Sequence, residues 1–187
     1  MSTPAAADGL PARPPEQNDS RWAAASRTLL AHVDGALAAR FDRSEDIDQL
    51  LVARTQAVDA LVREAWARCI DADAPLVLFA VGGYGRGELF PQSDIDLLVL
   101  AEAEAQRAGH AALARFFALL WDAGLPVGHA VRSTGECTQA AADDITVLTA
   151  LLEARPLAAE VDASVQLAAA IVPALIWPPR DYFVAKR

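Results

Sequence analysis

The sequence predicts an α/β chain, α+β by stricter naming, with a small mixed sheet, flanking helices and an N-terminal helical hairpin. Three observations carry this. Short apolar stretches at 76–81 and 95–100 end at or follow turn signals, as buried strands do, and 127–132 reads as a third strand. The segments around them repeat apolar residues every three or four positions, the period of an amphipathic helix. Four of the ten glycines fall between 82 and 87, immediately after the first apolar run.

Residues 1–18 are rich in Pro, Ala and polar side chains and are expected to form a disordered tail. Residues 19–71 form the helical lead-in. Trp22, Leu29, Leu30, Val33 and Leu37 mark a helix from Arg21 to Phe41. Asp42 with Glu45 reads as the start of the next one. That second helix carries Ile47, Leu50, Leu51, Val58, Leu61, Val62 and Ala65 on one face. Residues 72–187 form the second unit. After the break at Ala72–Pro75 come the first strand, the glycine turn, the second strand, a helix over Ala103–Ala123 stopped by Gly124, and the third strand at Val127–Arg132. Beyond Glu136 the pattern is helical, through residues 145–152 and again from Val165 to Ile176. The helices are expected to cover one face of the sheet. A further helix is expected to begin at Asp181–Arg187, where the chain ends without a cap and reads as cut.

Composition narrows the function. The chain has 187 residues with 53% hydrophobic and 22% charged side chains, which suits a soluble domain with a core. A net charge of −9 argues against wrapping a nucleic-acid backbone, which needs clustered Lys and Arg. No apolar run approaches a membrane span, and the N-terminus lacks a secretory signal, so a cytoplasmic protein is expected. The two cysteines, Cys69 and Cys137, read as free thiols, with no zinc-ligand spacing around them.

The chemistry concentrates in VGGYGRGELFPQSDIDLLVL, residues 81–100. The glycines do not fit a dinucleotide fingerprint, and no Gly-Lys-Ser/Thr follows for a Walker loop. Asp94 and Asp96 stand two apart at a strand entrance, so both point to one face, with Cα atoms about 6.5–7 Å apart. Ile95, Leu97 and Val99 take the other face. Two carboxylates so close repel unless a cation separates them. Mg²⁺ suits the pair, because it takes one or two carboxylates and completes its octahedron with phosphate and water. Gly82 and Gly83 have no Cβ to block a polyphosphate, and their N–H groups can bind its oxygens. Arg86 can neutralise a phosphate, or be a solvated turn residue. Ser93 can bond phosphate or cap the Asp pair. Arg132 and Arg155 read as surface or helix-end partners. His129 reads as a half-buried structural residue rather than a base.

An apolar strand, Gly-Gly, a ten-residue spacer and Asp-x-Asp opening a second strand resemble the signature of the DNA polymerase β-like nucleotidyltransferase superfamily. The segment 81–100, together with LLWDAGLPVGHAVRSTGEC (119–137), DITVLTALLEARPL (144–157) and WPPRDYFVAKR (177–187), resembles the bacterial bifunctional PII uridylyltransferase/uridylyl-removing enzymes. The resemblance implies a polymerase β-like fold and Mg²⁺-dependent transfer of UMP from UTP to a tyrosine of the PII nitrogen-signalling protein, releasing pyrophosphate. It implies Asp94 and Asp96 as metal-binding catalytic residues, with Gly82 and Gly83 on the triphosphate. Many superfamily members carry a third carboxylate on the next strand, and Val127–Arg132 has none. The matched part is the N-terminal transferase portion of the family. UMP removal and glutamine sensing belong to further domains, so glutamine is not expected to bind here. A nucleotide- or PII-binding remnant without activity, or a related adenylyltransferase, are the alternatives.

Overall fold

The computed structural model describes residues 15–158 and 161–177. Of the tail expected over 1–18, residues 1–14 lie outside the described residues, as does the expected helix at 181–187, while 15–18 belong to the first helix. Two long helices open the chain, α1 (Pro15–Phe41) and α2 (Ile47–Cys69). They pack as a hairpin, tied by Arg54 Nε to Asp34 Oδ1 at 3.0 Å. The second helix starts later than Asp42 and Glu45 suggest. Its N-cap is Asp46, whose carboxylate accepts from the N–H groups of Asp48 and Gln49. Glu45 is instead drawn into an ion pair with Arg40.

The remaining elements are β1 (Val77–Ala80), α3 (Gly82–Gly85), β2 (Ile95–Leu100), α4 (Ala103–Asp122), β3 (Val127–Arg132), α5 (Thr134–Asp143), α6 (Ile145–Leu152), β4 (Arg155–Ala158), α7 (Val161–Ala170) and α8 (Pro173–Ile176). The four strands form one sheet in the order β3-β2-β1-β4, with β2 and β3 parallel and the other pairs antiparallel. This is the small mixed sheet that the sequence predicts. Gly124 ends α4 at φ +82°, a conformation that suits glycine. No strand is expected from the sequence after Arg132. β4 escapes notice because four residues containing Pro156 show no periodicity, and proline is tolerated only because β4 is an edge strand. The helix expected over Val165–Ile176 is interrupted, with α7 ending at Ala170 and α8 restarting at Pro173.

Helices cover both faces of the sheet, not one. Leu78, Ala80, Ile95, Leu97 and Val99 face α1, α2 and α4, meeting Trp22, Val58, Val62, Phe116 and Leu120. Phe79, Leu98 and Leu100 face the other way and meet Cys137, Ala141, Leu148, Leu151 and Leu167 of α5, α6 and α7. The period-2 alternation of β2 dictates this split. On the second face Leu98 and Leu100 are buried while Asp96 is exposed, so the covering helices stop short of the entrance to β2. That uncovered corner adjoins α3.

Candidate active site

The corner is built from the β1–α3 turn and the start of β2. Val81 N–H donates to the Asp96 carbonyl at 3.0 Å, which fixes the turn against the strand entrance. Gly82 then takes φ +59°. A Cβ built on Gly82 would lie 3.6 Å from Asp96 Oδ2, so the second carboxylate rests directly beside the first glycine. Asp94 lies two residues before it, exposed. Although Asp96 is open to solvent on one side, its carboxyl group leans on backbone. Burial first and the Asp94 charge second push its pKa above the ordinary carboxylate value. A cation between the two groups relieves both effects.

The turn is held from several sides. Gly85 packs so closely that an added Cβ would stand 2.1 Å from the Glu153 carbonyl oxygen and 3.0 Å from that of Ala80. Arg155 of β4 donates to the carbonyls of Tyr84 and Gly85, each at 3.2 Å, satisfying the end of α3. The same guanidinium grips Asp59 of α2 through a two-pronged contact at 2.6 and 3.0 Å, and lies over the Tyr84 ring. Asp59 is buried, and Arg63 adds a contact at 3.4 Å. The Tyr84 hydroxyl is buried near them, and burial followed by the Asp59 carboxylate drives its pKa far above that of a free phenol. Thr55 Oγ1 donates to the Gly87 carbonyl at 2.8 Å, fastening the following loop to α2.

Arg86 sits beside the turn with its charge already matched, donating to Glu88 Oε2 and Glu153 Oε2 at 2.7 Å each. Gly83 is next to it, its would-be Cβ 3.8 Å from Arg86 Nη2. Ser93 is half-buried in the loop before Asp94, its N–H donating to the Phe90 carbonyl at 3.1 Å. His129 pairs in register with Leu97, which points away from Asp96. Its ring stacks on Phe117 with centroids 3.8 Å apart, and the residue is exposed rather than half-buried because β3 is an edge strand. Arg132 pairs with Leu100, four residues along β2 from Asp96, about 13 Å at the strand rise. Among the described residues no group of three or more His, Cys, Asp or Glu is arranged to hold a metal. Two carboxylates open to solvent still fit a hard cation that takes its other ligands from phosphate and water. Two positions escaped the sequence reading. Asp59 was an acid inside the apolar stripe of α2, a visible signal of a buried partner. Gly128 looked like any strand glycine.

Residues 62–153 match the family described as nucleotidyltransferase domain. Those residues thus carry a nucleotidyltransferase domain. Over most of its length it is homologous to bifunctional uridylyltransferase/uridylyl-removing enzymes. The protein of that name from Xanthomonas campestris pv. campestris (strain B100) is 62% identical over 169 residues, covering 90% of this chain and 19% of the relative. The one from Xanthomonas oryzae pv. oryzae (strain MAFF 311018) is 57% identical over 174 residues, 93% of this chain and 20% of the relative. The one from Ectopseudomonas mendocina (strain ymp) is 40% identical over 165 residues, 88% and 18% respectively. The chain therefore spans a fifth or less of the length of these relatives.

Proposed function

We propose that this chain transfers UMP from UTP to a tyrosine hydroxyl of a PII-type signalling protein, with Mg²⁺ held by Asp94 and Asp96. The observation that carries the reading is the Asp96 carboxylate facing the Gly82 turn, Oδ2 lying 3.6 Å from where a Gly82 Cβ would be, in a chain 62% identical over 169 residues to a protein named for uridylyl transfer. Gly82 and Gly83 present backbone N–H groups to the triphosphate, and the missing Cβ atoms allow close approach. Asp94 and Asp96 orient the metal-bound nucleotide toward the acceptor oxygen. The metal, when bound, supplies charge neutralisation on the phosphates and the pyrophosphate leaving group. Ser93 lies at the rim of this site. Arg86 reaches a phosphate only by exchanging Glu88 or Glu153 for it, which makes it an adjustable contact. The acceptor tyrosine gives up its proton as its oxygen attacks in line, and positioning with charge neutralisation supplies most of the rate. UTP and a PII protein place the reaction in the cytoplasm. No helix among the described residues is long and apolar enough to cross a membrane.

The test is transfer of label from [α-³²P]UTP to purified PII, with and without Mg²⁺, with [α-³²P]ATP in parallel. Mg²⁺-dependent labelling from UTP is expected. Labelling from ATP alone would reassign the nucleotide, and no labelling from either would remove the catalytic reading.

A further inference from the structure

The Asp96 carboxylate stands between two glycines. Gly82 borders Oδ2, and on the other flank Gly128 of β3 borders Oδ1. Gly128 is the register partner of Asp96 across the parallel β2–β3 ladder, so the two project on the same face. A Cβ built on Gly128 would stand 2.6 Å from Asp96 Oδ1, well inside van der Waals contact, with the Asp96 Cγ at 3.8 Å. The backbone of Gly128 does not call for glycine, since its φ lies outside the positive region occupied by Gly82, Gly87 and Gly124. Glycine in a strand interior also weakens the strand. What the position requires is the space, and the group that fills it is the carboxylate.

From this we infer that Gly128 is a positioning residue for the reaction: its missing side chain is the slot that seats the Asp96 carboxylate against the Gly82 turn. The inference rests on the reading of Asp96 as a metal ligand. Any larger residue at 128 displaces Oδ1. The displaced carboxyl group can only swing toward Gly82, where a Cβ would stand 3.6 Å from Oδ2, and that swing turns it out of the orientation in which it would hold the metal. The edge position of β3 leaves the backbone free to accept alanine, so the effect falls on the carboxylate and not on the fold.

The experiment compares wild type, Gly128→Ala, Asp96→Asn and the control Gly135→Ala, whose added methyl meets nothing nearer than Ser133 Oγ at 4.0 Å. Each is titrated with Mn²⁺ in the presence of UTP, free Mn²⁺ being read by electron paramagnetic resonance, alongside thermal unfolding and UMP transfer to PII. Gly128→Ala is expected to unfold as wild type does, to bind Mn²⁺ on the order of 10- to 100-fold more weakly, and to lose kcat with the KM for PII unchanged. Gly135→Ala follows wild type. Wild-type Mn²⁺ affinity in Gly128→Ala, with Asp96→Asn unable to bind, overturns the positioning role and leaves the site reading intact. Wild-type Mn²⁺ binding in Asp96→Asn overturns both. If Gly128→Ala fails to fold, the double variant Gly128→Ala/Asp96→Gly decides. Refolding of the double variant supports the slot, because only removal of the carboxylate relieves the clash, and failure to refold overturns it.

Discussion

Replacing Arg155 with methionine keeps the bulk of the side chain and removes every donor of its guanidinium. Those donors serve two elements: the Asp59 carboxylate on α2 at 2.6 and 3.0 Å, and the Tyr84 and Gly85 carbonyls at the end of α3 at 3.2 Å. The Asp59 side chain is only 8% exposed and would keep a single cation, Arg63, at 3.4 Å. Orphaning one partner of a buried ion pair costs about 3–5 kcal/mol. The low end, about 3 kcal/mol, applies because Arg63 remains and Arg155 is itself 30% exposed. For a chain of this size that is a fall in Tm of roughly 6–12 °C. Urea unfolding followed by far-UV circular dichroism measures the loss. Asp59→Asn and the double variant Asp59→Asn/Arg155→Met complete a cycle, and the double variant is expected to lose clearly less than the sum of the singles. Because the same guanidinium closes α3, the KM for UTP should rise in Arg155→Met. A loss under about 1 kcal/mol, the range of an exposed pair, or an additive cycle, would falsify the view that this ion pair braces the glycine turn.

Asp94→Asn and Asp96→Asn should each abolish UMP transfer in the PII labelling assay. Asp96→Asn should also raise the Tm of the metal-free chain. The folded-state pKa of Asp96 is raised, so its ionised form opposes folding at neutral pH and its protonated form does not. The stabilisation should therefore be full above the folded pKa and fade as pH falls toward the unfolded value; a Tm gain that is absent at pH 7, or that grows on acidification, contradicts the assignment. Gly85→Ala should cost at least about 3 kcal/mol, the upper part of the overpacking range, because the obstacle at 2.1 Å is backbone rather than a movable side chain; wild-type urea stability in this variant would show that the turn yields. Both cysteines are free, and burial raises Cys137 to about 11 and Cys69 in the same direction. Folded protein at pH 8 should react with a thiol reagent slowly at half-buried Cys69 and at Cys137 only on unfolding, and prompt labelling of both by mass spectrometry would contradict that packing.

Local periodicity determined much of this protein. The alternation in Ile95–Leu100 is enough to place Asp96 opposite Leu97 and Val99. The helical spacing around Phe116 and Phe117 defines the buried face of α4, and Gly124 marks its end. These are contacts of a residue with its own chain neighbours, so they are written in the order of the residues. The Gly-Gly turn and the Asp-x-Asp pair were legible for the same reason, since one short turn and one strand carry them. Tertiary structure alone decided what meets across the sheet. β4 is a strand only because β1 offers it an edge, and Pro156 is admitted because no further strand among the described residues pairs beyond it. Arg155 faces Asp59 across 96 residues of chain, and neither sequence neighbourhood announces the other. Arg86 meets Glu153 across 67 residues, which turns a free cation of the sequence into a matched one. Gly128 acquires its meaning from the parallel register that sets it beside Asp96, a pairing made by the α4 crossover between β2 and β3. Distance along the chain hides such pairs, because the energy that joins them comes from burial and charge pairing that exist only after the strands and helices have assembled.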